Sequence, residues 1–147
     1  HANLVLLDSG RRGILGENQL SWLARELDER PDKPALVFGH FNPFPNKGVR
    51  PIKGMSDGSS LLKLLKDRTH ARAYLYGHTH EWQHARMEHL HVIGQPAVSY
   101  YFGKGHAHGS LDMKLTKIFA DLELQCIDSN HKQHRARKRM SLKEKGA

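Results

Sequence analysis

The sequence predicts an α/β fold. Three short apolar runs alternate with two amphipathic helical patterns, in the order strand, helix, strand, helix, strand. After residue 80 the apolar residues recur with a period of two, which is typical of antiparallel, half-buried strands. The length of 147 residues is enough for one domain. We therefore expect an α/β layer followed by antiparallel strands.

The first elements are read from hydrophobic periodicity. The continuous apolar run at residues 4–7 predicts a buried strand. Apolar residues at i, i+3, i+4 and i+7 predict a helix over residues 17–29, with glycines before it and prolines after it. Residues 35–38 form a second apolar run that Gly39-His40 ends. The long loop at 41–55, rich in proline and glycine, is of the kind that is either functional or disordered.

The same signals continue to residue 80. Ser56-Asp57 is a candidate cap for a second helix, which carries the leucines of residues 61–65 and ends near Asp67-Arg68. Residues 71–76 predict a third strand, which stops at Gly77-His78-Thr79-His80. This completes the α/β part of the chain.

The last part is predicted to be antiparallel. Residues 82–86 and 89–93 read as two short strands about a turn, and residues 111–115 and 122–126 alternate with period two. Residues 131–147 have almost no apolar content and are predicted to be a basic, mobile tail that follows a domain at 1–130.

Composition excludes several classes of protein. No apolar run approaches the roughly 18 residues that cross a bilayer, so no membrane segment is expected. The single Cys126 cannot form an internal disulfide. The net charge is +8, of which +6 lies in residues 131–147, so the body is nearly neutral. The chain starts with His1-Ala2 and enters a strand at once, which predicts that the domain begins upstream.

Two of the predicted parallel strands end in Gly-His. His40 follows the second strand, and His78 follows the third strand with His80 two residues later. Because loops at the carboxyl ends of parallel strands meet in a ligand-binding crevice, these imidazoles are expected to lie together. Glycine before the histidine is expected to allow a sharp turn. Three imidazoles suit zinc, manganese or iron, and a pair at i, i+2 in a loop can face two different ions.

The other histidines have simpler interpretations. His106 and His108, in a glycine-rich loop with no strand before them, are a weak metal signal. The rest sit in polar or helix-end contexts and are expected at the surface: His70, His84, His89, His91, His131 and His134.

Gly39-His40-Phe41-Asn42-Pro43 and Tyr76-Gly77-His78-Thr79-His80 resemble the last two metal-binding blocks of the calcineurin-like metallophosphoesterases. The resemblance covers about residues 3–127. It implies a four-layer αββα sandwich with two divalent metal ions, zinc, manganese or iron. By this resemblance His40 and His78 would bind one ion and His80 the other. It also implies a phosphomonoesterase or phosphodiesterase that acts through a metal-activated hydroxide.

The family's earlier blocks do not occur here. Asp-x-His, Gly-Asp and Gly-Asn-His-Asp/Glu are absent, and neither Asp8 nor Asp57 sits in such a motif. The sequence therefore predicts the C-terminal half of such an enzyme, without a catalytic residue of its own. The N-terminal half would be needed for activity on a phosphate ester, and the isolated chain is predicted to be inactive.

Two alternatives from other classes remain open. The chain could be a nucleic-acid-associated module that acts only through its basic tail, although that tail lacks the aromatic residues that stack on bases. It could also be a catalytically inactive domain retained for interactions. Metal content separates this last class from the hydrolase.

Overall fold

The computed structural model describes residues 2–44, 54–100 and 105–143. Each predicted helix and strand is present within three residues of its expected bounds. The elements in chain order are β1 (Asn3–Leu6), α1 (Gly16–Asp28), β2 (Ala35–Gly39), α2 (Gly58–Lys66), β3 (Ala71–Tyr76), β4 (Gln83–Met87), β5 (Leu90–Gly94), β6 (Gly109–Leu115), β7 (Phe119–Cys126) and β8 (Arg137–Ser141).

The first sheet has five strands in the order β1-β2-β3-β5-β4. Strands β1, β2, β3 and β5 are parallel, whereas β4 pairs antiparallel with β5 as the second arm of a hairpin. The carboxyl ends of the four parallel strands therefore lie along one edge of this sheet. The predicted histidines follow β2 and β3 at that edge.

Both faces of the first sheet are covered. Helices α1 and α2 pack on the face that carries Val37 and Tyr74. The second sheet, in the order β6-β7-β8, packs on the face that carries Leu75 and Ile93. The described residues thus form three layers, helix, sheet and sheet, which confirms the α/β class. The fourth layer of the αββα sandwich stays a prediction.

Within the residues that the structure describes, the segment predicted to be a mobile basic tail contains a strand. Arg137–Ser141 is strand β8, antiparallel to β7. Low apolar content hid the strand, because its only buried apolar side chains are Met140 and, just after the strand, Leu142, whereas Arg137, Arg139 and Ser141 are exposed. Two apolar side chains and a paired neighbour are enough to order this segment. Residues 144–147 lie outside the described residues.

Strand β1, one of the two edge strands of the first sheet, exposes apolar side chains. Leu4 and Leu6 of β1 are 51% and 74% exposed. They are paired with Leu36 and Phe38 of β2. They therefore lie on the face of the first sheet that the second sheet covers at β2. Within the described residues, the second sheet therefore does not cover this face at β1.

Within the described residues, neither helix has the length and apolarity required of a membrane span.

Candidate metal centre

The structure brings His40 and His78 into contact. The ends of β2 and β3 are neighbours, and the Gly77 N–H donates to the His40 carbonyl at 3.1 Å. His78 Nδ1 lies 3.2 Å from His40 Nε2, and the ring centroids are 5.1 Å apart at 72°. Two residues that are 38 positions apart in the chain therefore meet because their strands are parallel neighbours.

The turn after β3 is strained at the histidines themselves. His78 and His80 have φ angles of 59° and 56°, in the left-handed region that side chains other than glycine rarely adopt. Between them Thr79 is buried, and its N–H donates to the Gly77 carbonyl at 2.6 Å. Such conformations cost on the order of 1–3 kcal/mol each and tend to occur at functional sites.

The sharp turn expected at the glycine before each histidine does not come from a left-handed backbone conformation of that glycine. Neither Gly39 nor Gly77 has a positive φ. A Cβ on Gly39 would overlap the hydroxyl of Tyr74, which donates to the Phe41 carbonyl at 2.9 Å. Burial raises the pKa of Tyr74, so this hydroxyl stays a donor. Gly39 therefore leaves room for the bond that fixes the loop beside His40.

Phe41 forms the buried wall behind the two histidines. Its ring centroid lies 5.1 Å from that of His40 and 4.2 Å from that of His78, and the side chain is only 7% exposed. The loop after β1 closes over Phe41 at Gly13, where the positive φ of 65° and the absence of a Cβ permit close approach. Packing thus holds both imidazoles in place.

His80 faces a different neighbour. Its ring lies 4.7 Å from the ring of Tyr100, a side chain that is 56% exposed. Next to it, Glu81 Oε1 is 3.6 Å from His106 Nδ1. Sequence reasoning missed Tyr100 and gave little weight to His106. The loop after β5 brings them back to the turn after β3, and no local pattern in the sequence records that return.

The contact between His40 and His78 fits two ligands of one ion. With metal–nitrogen bonds of 2.0–2.1 Å, two imidazole nitrogens on one ion are separated by roughly 2.9–3.4 Å. The observed 3.2 Å falls in that range. Burial, and then the charges of His40 and His80, lower the pKa of His78 and favour the neutral imidazole that a metal requires. Within 2–44, 54–100 and 105–143, no three side chains of the His, Cys, Asp or Glu types are placed to hold one ion.

The aspartates near the site have other roles. Asp8 accepts a hydrogen bond from the Gly10 N–H at 2.8 Å in a local turn. Asp57 precedes α2 as expected, but it does not cap that helix. Its carboxylate instead accepts from the N–H groups of Leu15 and Gly16, at 2.9 Å each, and so caps the start of α1. Residues 45–53 of the long loop after β2 lie outside the described residues.

Sequence comparison finds curated phosphodiesterases. The chain is 26% identical over 129 residues to a 3',5'-cyclic-nucleotide phosphodiesterase of Nostoc sp., covering 81% of this chain and 48% of that protein. It is 28% identical over 117 residues to the 3',5'-cyclic adenosine monophosphate phosphodiesterase CpdA of Haemophilus influenzae, covering 76% and 43%. It is 30% identical over 115 residues to CpdA of Pseudomonas aeruginosa, and the match covers 74% of this chain and 42% of that protein. The chain thus spans a little under half the length of these relatives. No protein-family model matches it.

Solved structures support the fold. A dimetal phosphatase of Danio rerio superposes with a TM-score of 0.68 at 16% identity, over 88% of this chain and 39% of that one. GAP50 of Plasmodium, described as the anchor in the inner membrane complex, superposes with a TM-score of 0.66 at 16% identity, over 97% and 50%. The family relationship follows from the similar sequences, the shared fold and the paired histidines at the strand ends. The chain is a relative of the calcineurin-like metallophosphoesterases.

Proposed function

We propose that the chain is the C-terminal part of a metal-dependent phosphoric ester hydrolase. The contact of His40 with His78 carries the proposal, because it joins two metal-ligand side chains at the carboxyl edge of a parallel sheet. The three curated relatives are cyclic-nucleotide phosphodiesterases, which favours a phosphodiester as the substrate.

In this proposal each side chain near the site has a defined task. His40 and His78 hold one divalent ion, and His80 holds a second. Phe41 and the Tyr74 hydroxyl keep the first two imidazoles in position, since one packs on both rings and the other holds the loop after β2. The bound ions supply Lewis-acid activation of the phosphoryl group and of the attacking water.

The described residues bring only part of such a site. Imidazoles are neutral ligands and do not offset the charge of two dications, so a second ion needs carboxylates. Asp8 and Asp57 are engaged with backbone N–H groups elsewhere. The proposal therefore assigns the missing carboxylates and the proton donor to an N-terminal half. Accordingly, we expect no detectable hydrolysis of an aryl phosphodiester by the 147-residue chain with added zinc, manganese or iron.

The histidines are tested in the intact protein. His78→Ala should remove a ligand of one ion and His80→Ala a ligand of the other. Each should lower kcat/KM by about 100-fold or more, with a matching loss of bound metal. Activity and metal content are measured on the same samples, by phosphodiester hydrolysis and by elemental analysis.

His70→Ala is the matched control. His70 precedes β3 whereas His78 follows it, and the His70 ring contacts the Leu27 carbonyl at the far end of the sheet. This variant should keep its metal and its rate. If His78→Ala and His80→Ala also keep full activity and full metal content, the hydrolase proposal is wrong.

The structure gives little support to a nucleic-acid module. Arg137 and Arg139 of the basic segment are paired with Glu123 and Asp121 on β7. Their charges are therefore partly neutralised within the fold. This alternative would be favoured if the chain bound nucleic acid with a steep salt dependence, and if that dependence disappeared when residues 131–147 were deleted.

A further inference from the structure

The loop after β5 is held at the carboxyl edge of the first sheet. The Gln95 N–H donates to the Tyr76 carbonyl at the end of β3, at 2.8 Å. The Gly109 N–H, at the start of β6, donates to the Ala97 carbonyl at 2.9 Å. These two hydrogen bonds hold the beginning of the loop beside the turn that carries His80.

Tyr100, farther along this loop, is an exposed aromatic side chain beside a candidate metal ligand. Its ring centroid lies 4.7 Å from that of His80, and the two ring planes meet at 69°. Because the rings meet edge to face, the imidazole covers at most one face of the tyrosine ring. The tyrosine side chain is 56% exposed, and Val98 in the same loop is 62% exposed. The loop therefore presents accessible apolar surface beside the candidate metal centre.

The two aromatic residues described at this edge differ in what a ligand can reach. Phe41 packs on His40 and His78 but is only 7% exposed, so it serves the interior of the fold. Tyr100 contacts the third candidate ligand, His80, and remains open to solvent. Exposed apolar side chains that lie next to a polar site are typical of ligand-binding surfaces. An exposed aromatic ring offers such a ligand a flat face for stacking.

We propose that Tyr100 stacks on the nucleobase of a nucleotide whose phosphate lies at the candidate metal centre. This assignment rests on the proposed function and extends it from the phosphoryl group to the organic part of the phosphodiester. The imidazoles serve the phosphoryl end, and the loop after β5 serves the base. Stacking uses the flat face that every base has, so the contact adds affinity for nucleotides without selecting one base.

Calorimetric titration of the intact, metal-loaded protein with AMP and with ribose 5-phosphate tests the contact. The two ligands share a sugar and a phosphate, and only AMP has a base. We expect AMP to bind about tenfold more tightly. Tyr100→Ala should remove most of this difference and leave both the affinity for ribose 5-phosphate and the metal content unchanged. Tyr100→Phe should keep the difference, because it keeps the ring.

Two further variants separate stacking from a structural effect. Trp22→Ala is the matched control, since it removes a partly exposed aromatic ring from α1, and it should bind AMP as the unchanged protein does. Tyr100→Leu keeps an apolar side chain against His80 but has no flat face, so it should behave like Tyr100→Ala. If Tyr100→Leu binds AMP as tightly as the unchanged protein, Tyr100 only positions His80 and the assignment is overturned. Equal affinity of the unchanged protein for AMP and ribose 5-phosphate also overturns it.

Metal analysis and phosphodiester hydrolysis on the same samples distinguish this assignment from the proposed function. A protein that holds metal and hydrolyses a phosphodiester, but whose AMP binding does not depend on Tyr100, contradicts the stacking contact alone. A protein without metal and without hydrolysis contradicts the proposed function, and the stacking contact with it.

Discussion

At the scale of single residues, the candidate metal centre depends on one close approach. The Tyr74 hydroxyl passes over Gly39 to reach the Phe41 carbonyl, and Phe41 in turn packs on His78. In the sequence, the glycine before a histidine predicts a turn. The structure gives that glycine a different task, which is to leave space for a side chain from the neighbouring strand.

A double-mutant cycle tests this close approach. Gly39→Ala should lower the free energy of unfolding by about 2 kcal/mol, because the new methyl group overlaps the Tyr74 hydroxyl. Tyr74→Phe should cost about 1 kcal/mol through the lost hydrogen bond. Urea unfolding should then show a smaller cost of Gly39→Ala in the Tyr74→Phe chain. Strictly additive costs would mean that the hydroxyl and Gly39 do not interact.

At the scale of elements, the β4–β5 hairpin and strand β8 each place one notable group in the interior. The hairpin contributes the His84–His91 pair, and β8 contributes Met140, which is fully buried in the inter-sheet core. The histidine pair predicts how stability depends on pH, and the buried methionine predicts how stability depends on packing.

The hairpin should make stability sensitive to mild acid. The pKa of His91 is about 4 in the folded chain, below the ordinary histidine value of 6.5. Between these values the unfolded chain binds the extra proton, so the stability present above pH 6.5 is lost as the pH falls towards 4. The loss is on the order of 2–3 kcal/mol.

Urea unfolding at several pH values measures this loss. His91→Gln should reduce the slope of the stability curve between pH 6.5 and 4, because it removes the buried group whose pKa is lowered to about 4. His84, whose pKa burial also lowers, remains in both chains. The exposed carboxylates with lowered pKa, such as Asp121 and Glu123, remain in both chains and therefore cancel in the difference. Identical pH dependence in the two chains would contradict the assignment to His91.

Strand β8 should contribute to the stability of the inter-sheet core. Met140→Ala should lower the free energy of unfolding by about 2–4 kcal/mol through lost burial and the cavity left behind. Arg139→Ala, one residue away on the outer face, should change it little, because its ion pair with Asp121 is exposed. Chemical unfolding measures both. A neutral Met140→Ala would restore the prediction of a mobile tail.

At the scale of the whole molecule, the described layers leave the β1 edge of the first sheet uncovered. Strand β1 is at the end of the first sheet, and its Leu4 and Leu6 are exposed on the face that the second sheet covers elsewhere. An open strand with exposed leucines favours association with another chain. In the proposed function, an N-terminal half covers this edge.

The 147-residue chain alone should therefore self-associate. Leu6→Lys should shift the chain towards monomer, because a charge on an edge strand opposes pairing. Ile127→Lys, at another exposed apolar side chain, is the control and should leave association unchanged. Sedimentation velocity measures both. A monodisperse monomer that melts cooperatively without any substitution would show that the fold is self-contained.

The sequence by itself determined the order of elements and the two Gly-His strand ends. Periodicity is a local property, so β3 and α1 could be predicted within a residue or two. The contact of His40 with His78 was also predictable in outline, because parallel strands place their carboxyl ends at one edge.

Only the tertiary structure decided the contacts between distant segments. Asp57 caps α1 and not the helix that follows it, and His106 reaches Glu81 through a returning loop. His91 is buried and β8 is ordered, although both look polar in sequence. The reason is physical. Burial depends on which face of which neighbour covers a residue, and that neighbour is set by packing between layers and not by the local pattern.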